Sequence, residues 1–355
     1  MYRLLVRPLL FLLPPEKIHR LLIHVIRMLF KIPGIRMLVH NRYHLKSPLL
    51  ETEFLGMKLS SPVGLAAGFD KNAEIYKEFH AFGFSFIEVG TITPLGQPGN
   101  KKPRSFRIPE DRGLINRMGF NNLGAEAAAG KLGRRRPKGL ILGGNIGKNT
   151  STPNEAAAAD YEAVFEAIYE GVDYFVVNVS CPNITDLRKL QDQESLEAIL
   201  GRILDKRREK GVRKPVLLKI SPDLNDHQLD ETLTIISQLK IDGIVATNTT
   251  VARENLKTAD DRIKAIGKGG MSGSPITSKS LDVVRKIHDR TSGSVPIIAV
   301  GGIMSVKDAM NMFEAGASLI QLYTGFIYEG PGLVRRINRE LIRKRELAET
   351  GGTLS

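Results

Sequence analysis

The sequence has little of several things that would point to particular protein classes. It contains one cysteine, Cys181, in 355 residues, so an intrachain disulfide is impossible and an oxidising compartment is not required. No low-complexity tract or internal duplication is visible, which argues against a repeat protein. Histidine, cysteine and acidic residues do not cluster at the spacing of metal ligands, so we predict no metal site.

Long apolar runs are absent from the first 48 residues, where a membrane anchor or a signal peptide would be sought. The longest uncharged run there, 8–15, has eight residues, whereas a transmembrane helix needs about 20. A signal peptide needs a longer apolar stretch and a small-residue cleavage site. The sequence therefore predicts neither a membrane-spanning helix nor a secretion signal.

Acidic residues are scarce relative to basic ones, with 38 Asp and Glu against 51 Lys and Arg and a net charge of +13. Taken alone, this charge suits nucleic acid, a membrane surface or anionic substrates. Residues 1–48 hold nine Lys and Arg but only one acid, Glu16, so most of the excess lies in this segment. The charge therefore belongs mainly to the N-terminal segment and not to the chain as a whole.

Apolar residues of this segment recur at helical spacing with basic residues between them: Ile18, Leu21, Leu22, Val25, Ile26, Leu29 and Phe30. Pro14 and Pro15 separate a first short helix from this second one. A basic amphipathic helix pair suits an anionic membrane surface. The alternative is that its apolar face packs on the rest of the protein. We predict an N-terminal amphipathic helical extension over residues 1–48 that rests on a membrane.

From residue 61 onward, short β-branched apolar runs alternate with helical patterns, which predicts a parallel sheet covered by helices. Eight such runs occur, at 62–68, 84–92, 139–147, 174–180, 215–221, 243–249, 296–302 and 319–324. Helical patterns lie between them, for example at 153–170, 195–210, 226–240, 278–289 and 305–315. Eight such units predict an α/β fold of the TIM (β/α)8 barrel type over residues 49–347. Residues 348–355 are expected to fray.

Polar or glycine residues stand at the end of each predicted strand, which is where active sites of this fold gather. They are Ala67-Gly68 with Lys71, Thr91, Asn145, Asn178 with Cys181 and Asn183, Lys219, Thr247 to Thr249, Gly301-Gly302, and Tyr323-Thr324. Any one of them could be an ordinary loop residue, but their shared position predicts one polar mouth. The insertion 93–116 carries a turn pattern at 109–113, which predicts a hairpin beside this mouth.

Glycine-rich loops follow the sixth, seventh and eighth predicted strands, and they permit close backbone approach to a phosphate. Lys71 and Lys219, if buried, need an anionic partner such as a phosphate, a substrate carboxylate or a reduced flavin. Clustered asparagines suit a planar ring with amide groups. The segment 147–149 is not a P-loop, because Leu142 and Asn149 replace residues that the motif requires.

Successive segments of the chain resemble the motifs of the dihydroorotate dehydrogenase family: 64–71, 116–124, 145–149, 178–183, 246–250 and 301–303. The N-terminal extension resembles that of the membrane-associated, quinone-dependent class, and the resemblance runs from about residue 1 to residue 333. The helices of residues 1–48 are therefore expected to give a quinone access to the flavin between them. The resemblance implies an FMN-dependent oxidoreductase of de novo pyrimidine (UMP) biosynthesis that oxidises dihydroorotate to orotate and reduces a membrane quinone. It also implies a peripheral membrane protein on the cytoplasmic face of a bacterial cell membrane.

The resemblance also assigns residues to ligands. It implies that FMN contacts Ala67, Gly68, Lys71, Thr91, Asn145, Asn178, Lys219, Thr247, Gly273, Gly302, Tyr323 and Thr324. It implies that the substrate contacts Lys71, Asn116, Arg117, Met118, Gly119, Phe120, Asn178, Asn183, Asn248 and Thr249.

Cys181 and Lys219 are the expected catalytic residues. The quinone-dependent class usually has a serine base at the position of Cys181, whereas cysteine is typical of the soluble classes. A thiol has an ordinary pKa of about 8.5, far nearer to neutral pH than that of a serine hydroxyl, so Cys181 could take the substrate proton. Lys219 would stabilise negative charge on the reduced flavin.

Four other interpretations are open at this point. A flavin barrel that reduces uridine in transfer RNA also uses a cysteine, but the positive charge lies on an amphipathic segment and we expect no nucleic-acid partner. A soluble dihydroorotate dehydrogenase would use fumarate or a partner subunit. An aldolase or isomerase barrel would bind phosphate esters without a flavin. A non-enzymatic membrane scaffold would not need polar groups at every strand end.

Overall fold

The structure, a computed structural model, describes residues 2–133, 135–180, 190 and 192–350. Its strands are β1 (Thr52–Phe54), β2 (Met57–Leu59), β3 (Val63–Leu65), β4 (Phe86–Ile92), β5 (Leu95–Gln97), β6 (Ser105–Ile108), β7 (Gly113–Asn116), β8 (Asn122–Gly124), β9 (Ile141–Ile146), β10 (Tyr174–Asn178), β11 (Val216–Ile220), β12 (Gly243–Ala246), β13 (Gly270–Gly273), β14 (Ile297–Val300) and β15 (Leu319–Leu322).

The α-helices follow a π-helical turn, Tyr2–Val6. They are α1 (Arg7–Phe11), α2 (Pro15–Leu29), α3 (Ile35–Tyr43), α4 (Tyr76–His80), α5 (Ala125–Leu132), α6 (Ala157–Ile168), α7 (Gln193–Glu209), α8 (Asp226–Leu239), α9 (Asp260–Ile266), α10 (Thr277–Arg290), α11 (Val306–Glu314), α12 (Thr324–Glu329) and α13 (Gly332–Glu349).

Eight parallel strands close into a barrel in chain order, from β3, β4 and β9 to β10, β11, β12, β14 and β15. The ring closes where β15 pairs with β3, with Ile320 opposite Val63. Each of these strands lies within one of the eight predicted runs, so the predicted TIM barrel is confirmed. The parallel pairing brings all eight carboxyl ends to one rim.

Side chains alternate across each barrel strand between the interior and the surrounding helices. Phe86, Tyr174 and Leu217 belong to an interior cluster, which also includes Phe54 and Leu59 of the β1–β2 hairpin. The hairpin therefore closes the base of the barrel. The opposite rim, where the strands end, is left as the open mouth.

The N-terminal segment forms helices α1 and α2, which are separated at Pro14 as predicted. Ile18 is buried, and Ile23 and Ile26 pack against the main hydrophobic core. Leu21 and Met28 on the same helix are exposed at 48% and 51%. Part of the apolar surface of α2 thus packs on the barrel, while another part faces outward. Among the described residues, none of the helices combines the length and apolarity needed to cross a bilayer.

Several helices were not specified by the sequence patterns, among them α3 and the C-terminal helix α13. Helix α13 buries Leu333, Val334, Ile337 and Leu341 at helical spacing against the core. Helix α13 thereby covers one side of the barrel. It also contacts the N-terminal region, because Arg345 donates a hydrogen bond to the carbonyl of Leu49. Residues 351–355, part of the tail expected to fray, lie outside the described residues.

Candidate active site

A cavity opens at the carboxyl ends of the barrel strands, and we call it the mouth cavity. It holds about 1000 Å³ of space, including the part open to solvent. Most of the predicted site residues line it: Ala67, Gly68, Lys71, Thr91, Asn116, Met118, Gly119, Phe120, Asn178, Lys219, Thr247, Asn248, Thr249, Gly273, Gly302, Tyr323 and Thr324. Segments separated by more than 250 residues in sequence thus meet around one space.

Two of the predicted site residues that the structure describes, Arg117 and Asn145, do not line this cavity. Arg117 is directed elsewhere, because its guanidinium donates to the carbonyls of Ile266 and Lys268 and lies over the ring of Phe106. Asn145 is fully buried below the cavity floor. Cys181 and Asn183 lie outside the described residues, so their roles stay predictions from the sequence.

Two lysines bring positive charge to the mouth cavity. Lys219 lies on β11 two residues after Leu217, so it shares the interior face of the strand, and it is only 6% exposed. The Nζ of Lys71 donates to the carbonyl of Gly68 at 2.5 Å. Burial lowers the pKa of Lys71 to about 8, although the carboxylate of Glu16 opposes this shift. Two cations in a confined space favour an anionic ligand.

A chain of amide side chains runs from the barrel interior to the mouth. Asn145 Nδ2 donates to Glu88 Oε1 at 2.7 Å, and its Oδ1 accepts from Thr91 Oγ1 at 2.5 Å. Asn178 Nδ2 donates to Thr91 Oγ1 at 3.0 Å and to Asn145 Oδ1 at 3.2 Å. Asn248 Nδ2 then donates to Asn178 Oδ1 at 3.2 Å. Each donor in this hydrogen-bonded series of side chains is directed toward Glu88.

Glu88 and Gln321 were not predicted as site residues. Glu88 is completely buried, and its second oxygen, Oε2, accepts from Gln321 Nε2 at 2.7 Å. The sequence did contain an indication of both residues, because each is a polar residue inside a largely apolar strand. A buried polar residue inside a strand calls for a partner, and here the two polar residues face one another.

Glycine loops form the far side of the mouth cavity. Gly302 has φ +74°, and a Cβ placed there would lie 2.3 Å from the Cα of Thr277. A Cβ on Gly325 would lie 2.0 Å from the carbonyl oxygen of Ile303. Side chains are therefore excluded, and the backbone of these loops faces the cavity without cover. The predicted hairpin is confirmed as β6 and β7, and β13 pairs with β7 to bring Gly273 to the same side.

A second cavity adjoins the first, and we call it the apolar cavity. It holds about 1310 Å³, including the part open to solvent. Its lining combines the N-terminal helices with the barrel rim, including Leu10, Phe11, Ile18, Leu22, Ile26, Phe69, Phe79, Phe82 and Phe326. Lys71, Asn116, Met118, Ser272 and Tyr323 line both cavities and form the partition between them.

Two polar residues of helix α2, Glu16 and His19, line the apolar cavity, and no sequence pattern marked them as site residues. Burial and, to a smaller extent, the charge of Lys71 lower the pKa of His19 to about 3, so this imidazole is neutral near pH 7. Arg104, only 3% exposed, donates to both oxygens of Glu16 at 3.1 and 2.8 Å. Glu16 and Arg104 are 88 residues apart, so only the fold brings them together.

No group of three or more potential metal ligands is present among the residues that the structure describes. The buried tyrosine at the partition, Tyr323, has its pKa raised to about 12 by burial, so its hydroxyl keeps its proton at neutral pH. The two cavities therefore differ in character. One offers cations, amides and bare backbone, and the other offers aliphatic and aromatic surface.

Comparisons with known proteins agree with this architecture. The sequence profile of the family described as "Dihydroorotate dehydrogenase" matches residues 49–344. "Dihydroorotate dehydrogenase (quinone)" of Christiangramia forsetii is 49% identical over 97% of this chain and 99% of its own length. The protein of the same name from Rhodococcus opacus is 46% identical over 97% of this chain and 95% of its own length.

Solved structures give the same result. A crystal structure of the Eimeria tenella dihydroorotate dehydrogenase in complex with ferulenol superposes with a TM-score of 0.83 at 33% identity, covering 95% of this chain and 93% of that one. Its ligand-free form superposes with a TM-score of 0.80 at 35% identity, covering 89% and 94%. The profile match and the full-length similarity lead to one conclusion: the chain belongs to the dihydroorotate dehydrogenase family.

Proposed function

We propose that the protein oxidises dihydroorotate to orotate, with FMN as the hydride acceptor and a membrane quinone as the final electron acceptor. One observation carries this proposal: a polar, cationic cavity at the barrel mouth shares a thin partition with an apolar cavity under the N-terminal helices. Such a pair of cavities suits one anionic and one apolar substrate that exchange electrons across the partition. The printed names of the bacterial relatives, which include the word quinone, support the same assignment.

The mouth cavity fits FMN in two respects. Gly273, Gly302 and Gly325 line the cavity, and their backbone suits a phosphate because no side chain of these residues stands in its way. The amides and hydroxyls of Thr91, Asn178 and Thr247 suit the polar edge of a planar ring. When bound, FMN supplies a ring that accepts a hydride and later delivers the electrons to a quinone.

The chain's own residues bind and orient the substrate. Oxidation removes a proton from one ring carbon of dihydroorotate and a hydride from its neighbour, which leaves a double bond between the two carbons. Lys71 offers an ammonium group to the substrate carboxylate, and Asn116, Asn178 and Asn248 offer amides to the ring. Lys219 is held rigidly on β11 and stabilises the negative charge that hydride acceptance brings.

Cys181 is proposed as the base that takes the proton. It follows Asn178, which lines the mouth cavity, by three positions in the chain. A base positioned against a reacting carbon typically contributes about 10²- to 10⁴-fold to the rate. Asn183, five residues after Asn178, is proposed as a further substrate contact.

The N-terminal helices are proposed to rest on an anionic membrane and to admit the quinone. Leu4, Leu9 and Leu12 are 80%, 68% and 79% exposed, and arginines such as Arg3 lie on the same segment. Exposed leucines beside cations are typical of segments that insert shallowly into an anionic lipid surface. The proposed location is the cytoplasmic face of a bacterial cell membrane, without a spanning helix.

An anaerobic titration tests the reaction. Dihydroorotate added to the purified protein should bleach the visible flavin absorbance stoichiometrically, and a short-chain quinone analogue added afterwards should restore it. Fumarate and NAD, added to parallel samples, should restore it far more slowly. A colourless preparation, or a flavin that dihydroorotate leaves oxidised, would refute the proposal. Restoration by fumarate instead of quinone would place the protein with the soluble enzymes.

A further inference from the structure

The interior of the barrel contains a buried carboxylate that the reaction does not require as an acid, a base or a ligand contact. Glu88 lies in the middle of β4 with none of its surface exposed, and it does not line the mouth cavity. Its two oxygens accept hydrogen bonds from Asn145 and Gln321, both at 2.7 Å. Burying a carboxylate is costly unless donors surround it, so this residue calls for a specific explanation.

The chemistry of the carboxylate determines how the neighbouring amides are oriented. A carboxylate only accepts hydrogen bonds, whereas an amide has one donating and one accepting end. Asn145 must therefore turn its NH₂ group toward Glu88, which leaves its Oδ1 facing the mouth. That oxygen accepts from Thr91 at 2.5 Å and from Asn178 at 3.2 Å.

The orientation of the Asn145 amide in turn determines the orientation of the next two amides, those of Asn178 and Asn248. Both hydrogens of Asn178 Nδ2 are used on Thr91 and Asn145, so its Oδ1 faces the mouth, where it accepts from Asn248 Nδ2 and from Ser180 Oγ. Both hydrogens of Asn248 Nδ2 are likewise used, on Asn178 Oδ1 and on Ser180 Oγ at 3.0 Å. Asn248 Oδ1 already accepts from the backbone N–H of Thr249 at 2.8 Å and keeps one acceptor position.

We propose that Glu88 is a positioning residue that fixes the direction of this amide chain, so that the acceptor oxygen of Asn248, and not its NH₂ group, faces the ligand at the mouth. A ring that carries N–H groups, as dihydroorotate and orotate do, is then favoured over a ring that offers only acceptors. This inference rests on the proposed function, because it takes the ligand of the mouth cavity to be such a ring. Asn178 and Asn248 touch the ligand, and Glu88 acts only through them.

Two separate substitutions of Glu88, each by a residue of similar length, distinguish the effect of amide orientation from an effect of packing alone. Glu88→Met removes both acceptors, which leaves the NH₂ group of Asn145 buried without a partner and free to turn over. Glu88→Gln keeps an acceptor for Asn145. Its new NH₂ group can donate to Gln321 Oε1 once the Gln321 amide turns over, since this oxygen lacks a hydrogen-bond partner in the described structure and Nε2 now faces residue 88. The amide chain keeps its direction in the second variant and loses it in the first.

The measurement is orotate binding, followed by the shift of the flavin absorbance band, in holoenzymes of equal flavin content. We expect Glu88→Met to weaken orotate binding roughly tenfold or more, since a mismatched buried amide costs this much. Glu88→Gln should bind orotate within about twofold of the parent protein. Thermal unfolding of each holoenzyme is recorded alongside, because a packing defect alone would lower the melting temperature without changing orotate affinity.

Two results would overturn the inference. Orotate binding in Glu88→Met equal to that of the parent would show that the chain needs no fixed direction. Equal weakening in both variants would show that the negative charge matters and not the direction. If Glu88→Met fails to fold, Asn145→Leu is tested instead. This variant interrupts the same series of amides at the residue next to Glu88, and it is expected to weaken orotate binding similarly. A parent protein that lacks flavin or ignores orotate would refute the proposed function instead, before any variant is compared.

Discussion

The mouth cavity and the apolar cavity are built in opposite ways. The mouth cavity draws its polar groups from the ends of parallel strands, so each group lies at a position set by the local chain. The apolar cavity lies between the N-terminal helices and the barrel rim, and its residues become neighbours only when the two regions pack. The residues of a site built from strand ends can be located from sequence patterns, whereas the residues that line a site at a packing interface cannot.

The largest expected effect concerns the chemistry of the mouth cavity alone. Cys181→Ala should retain FMN but slow dihydroorotate-driven bleaching by about 10³-fold, because the substrate proton loses its acceptor. Stopped-flow absorbance under anaerobic conditions measures this. Cys181→Ser is the control, since a hydroxyl can serve as a weaker base and should react faster than the alanine variant. Normal bleaching in Cys181→Ala would remove the thiol from the reaction.

An intermediate effect concerns the partition. The pKa of Lys71 in the free protein is lowered to about 8, so its ammonium form is present below this pH and is lost above it. The affinity for orotate should therefore fall by up to about tenfold for each pH unit above 8, as the charge that attracts the carboxylate disappears. In Lys71→Arg the fall should vanish, because a guanidinium stays protonated. The same fall in the arginine variant would assign it to another group.

The smallest effect tests whether the apolar cavity serves the second substrate only. Leu22→Trp fills space in this cavity and should raise the KM for a quinone analogue roughly fivefold to tenfold, an effect of about 1–1.4 kcal/mol. Bleaching by dihydroorotate should be unchanged. Leu21→Trp is the matched control, because Leu21 is the preceding residue of the same helix and is 48% exposed. Equal effects of both variants would show that quinone does not use this cavity.

Sequence patterns located the barrel well because a parallel barrel is locally encoded. Each buried strand appears as a short apolar run, and the residue that ends it marks the mouth, as at Thr91 and Asn178. Helix α13 was missed even though Leu333, Val334, Ile337 and Leu341 have helical spacing. Arg117 lies in a segment that otherwise lines the mouth, yet the side chain turns away to donate to the carbonyls of Ile266 and Lys268. The direction of a loop side chain depends on partners distant in sequence.

By itself the sequence determined the eight strands, the polar rim with its two lysines, and a basic amphipathic beginning without a spanning helix. Periodicity and strand endings are local properties, so they are readable without coordinates. Only the tertiary structure decided that Glu88 lies beneath the amides, that Glu16 meets Arg104, and that Lys71 and Tyr323 separate two cavities. These contacts join residues tens to hundreds of positions apart, and no local pattern specifies which distant partner a side chain will meet.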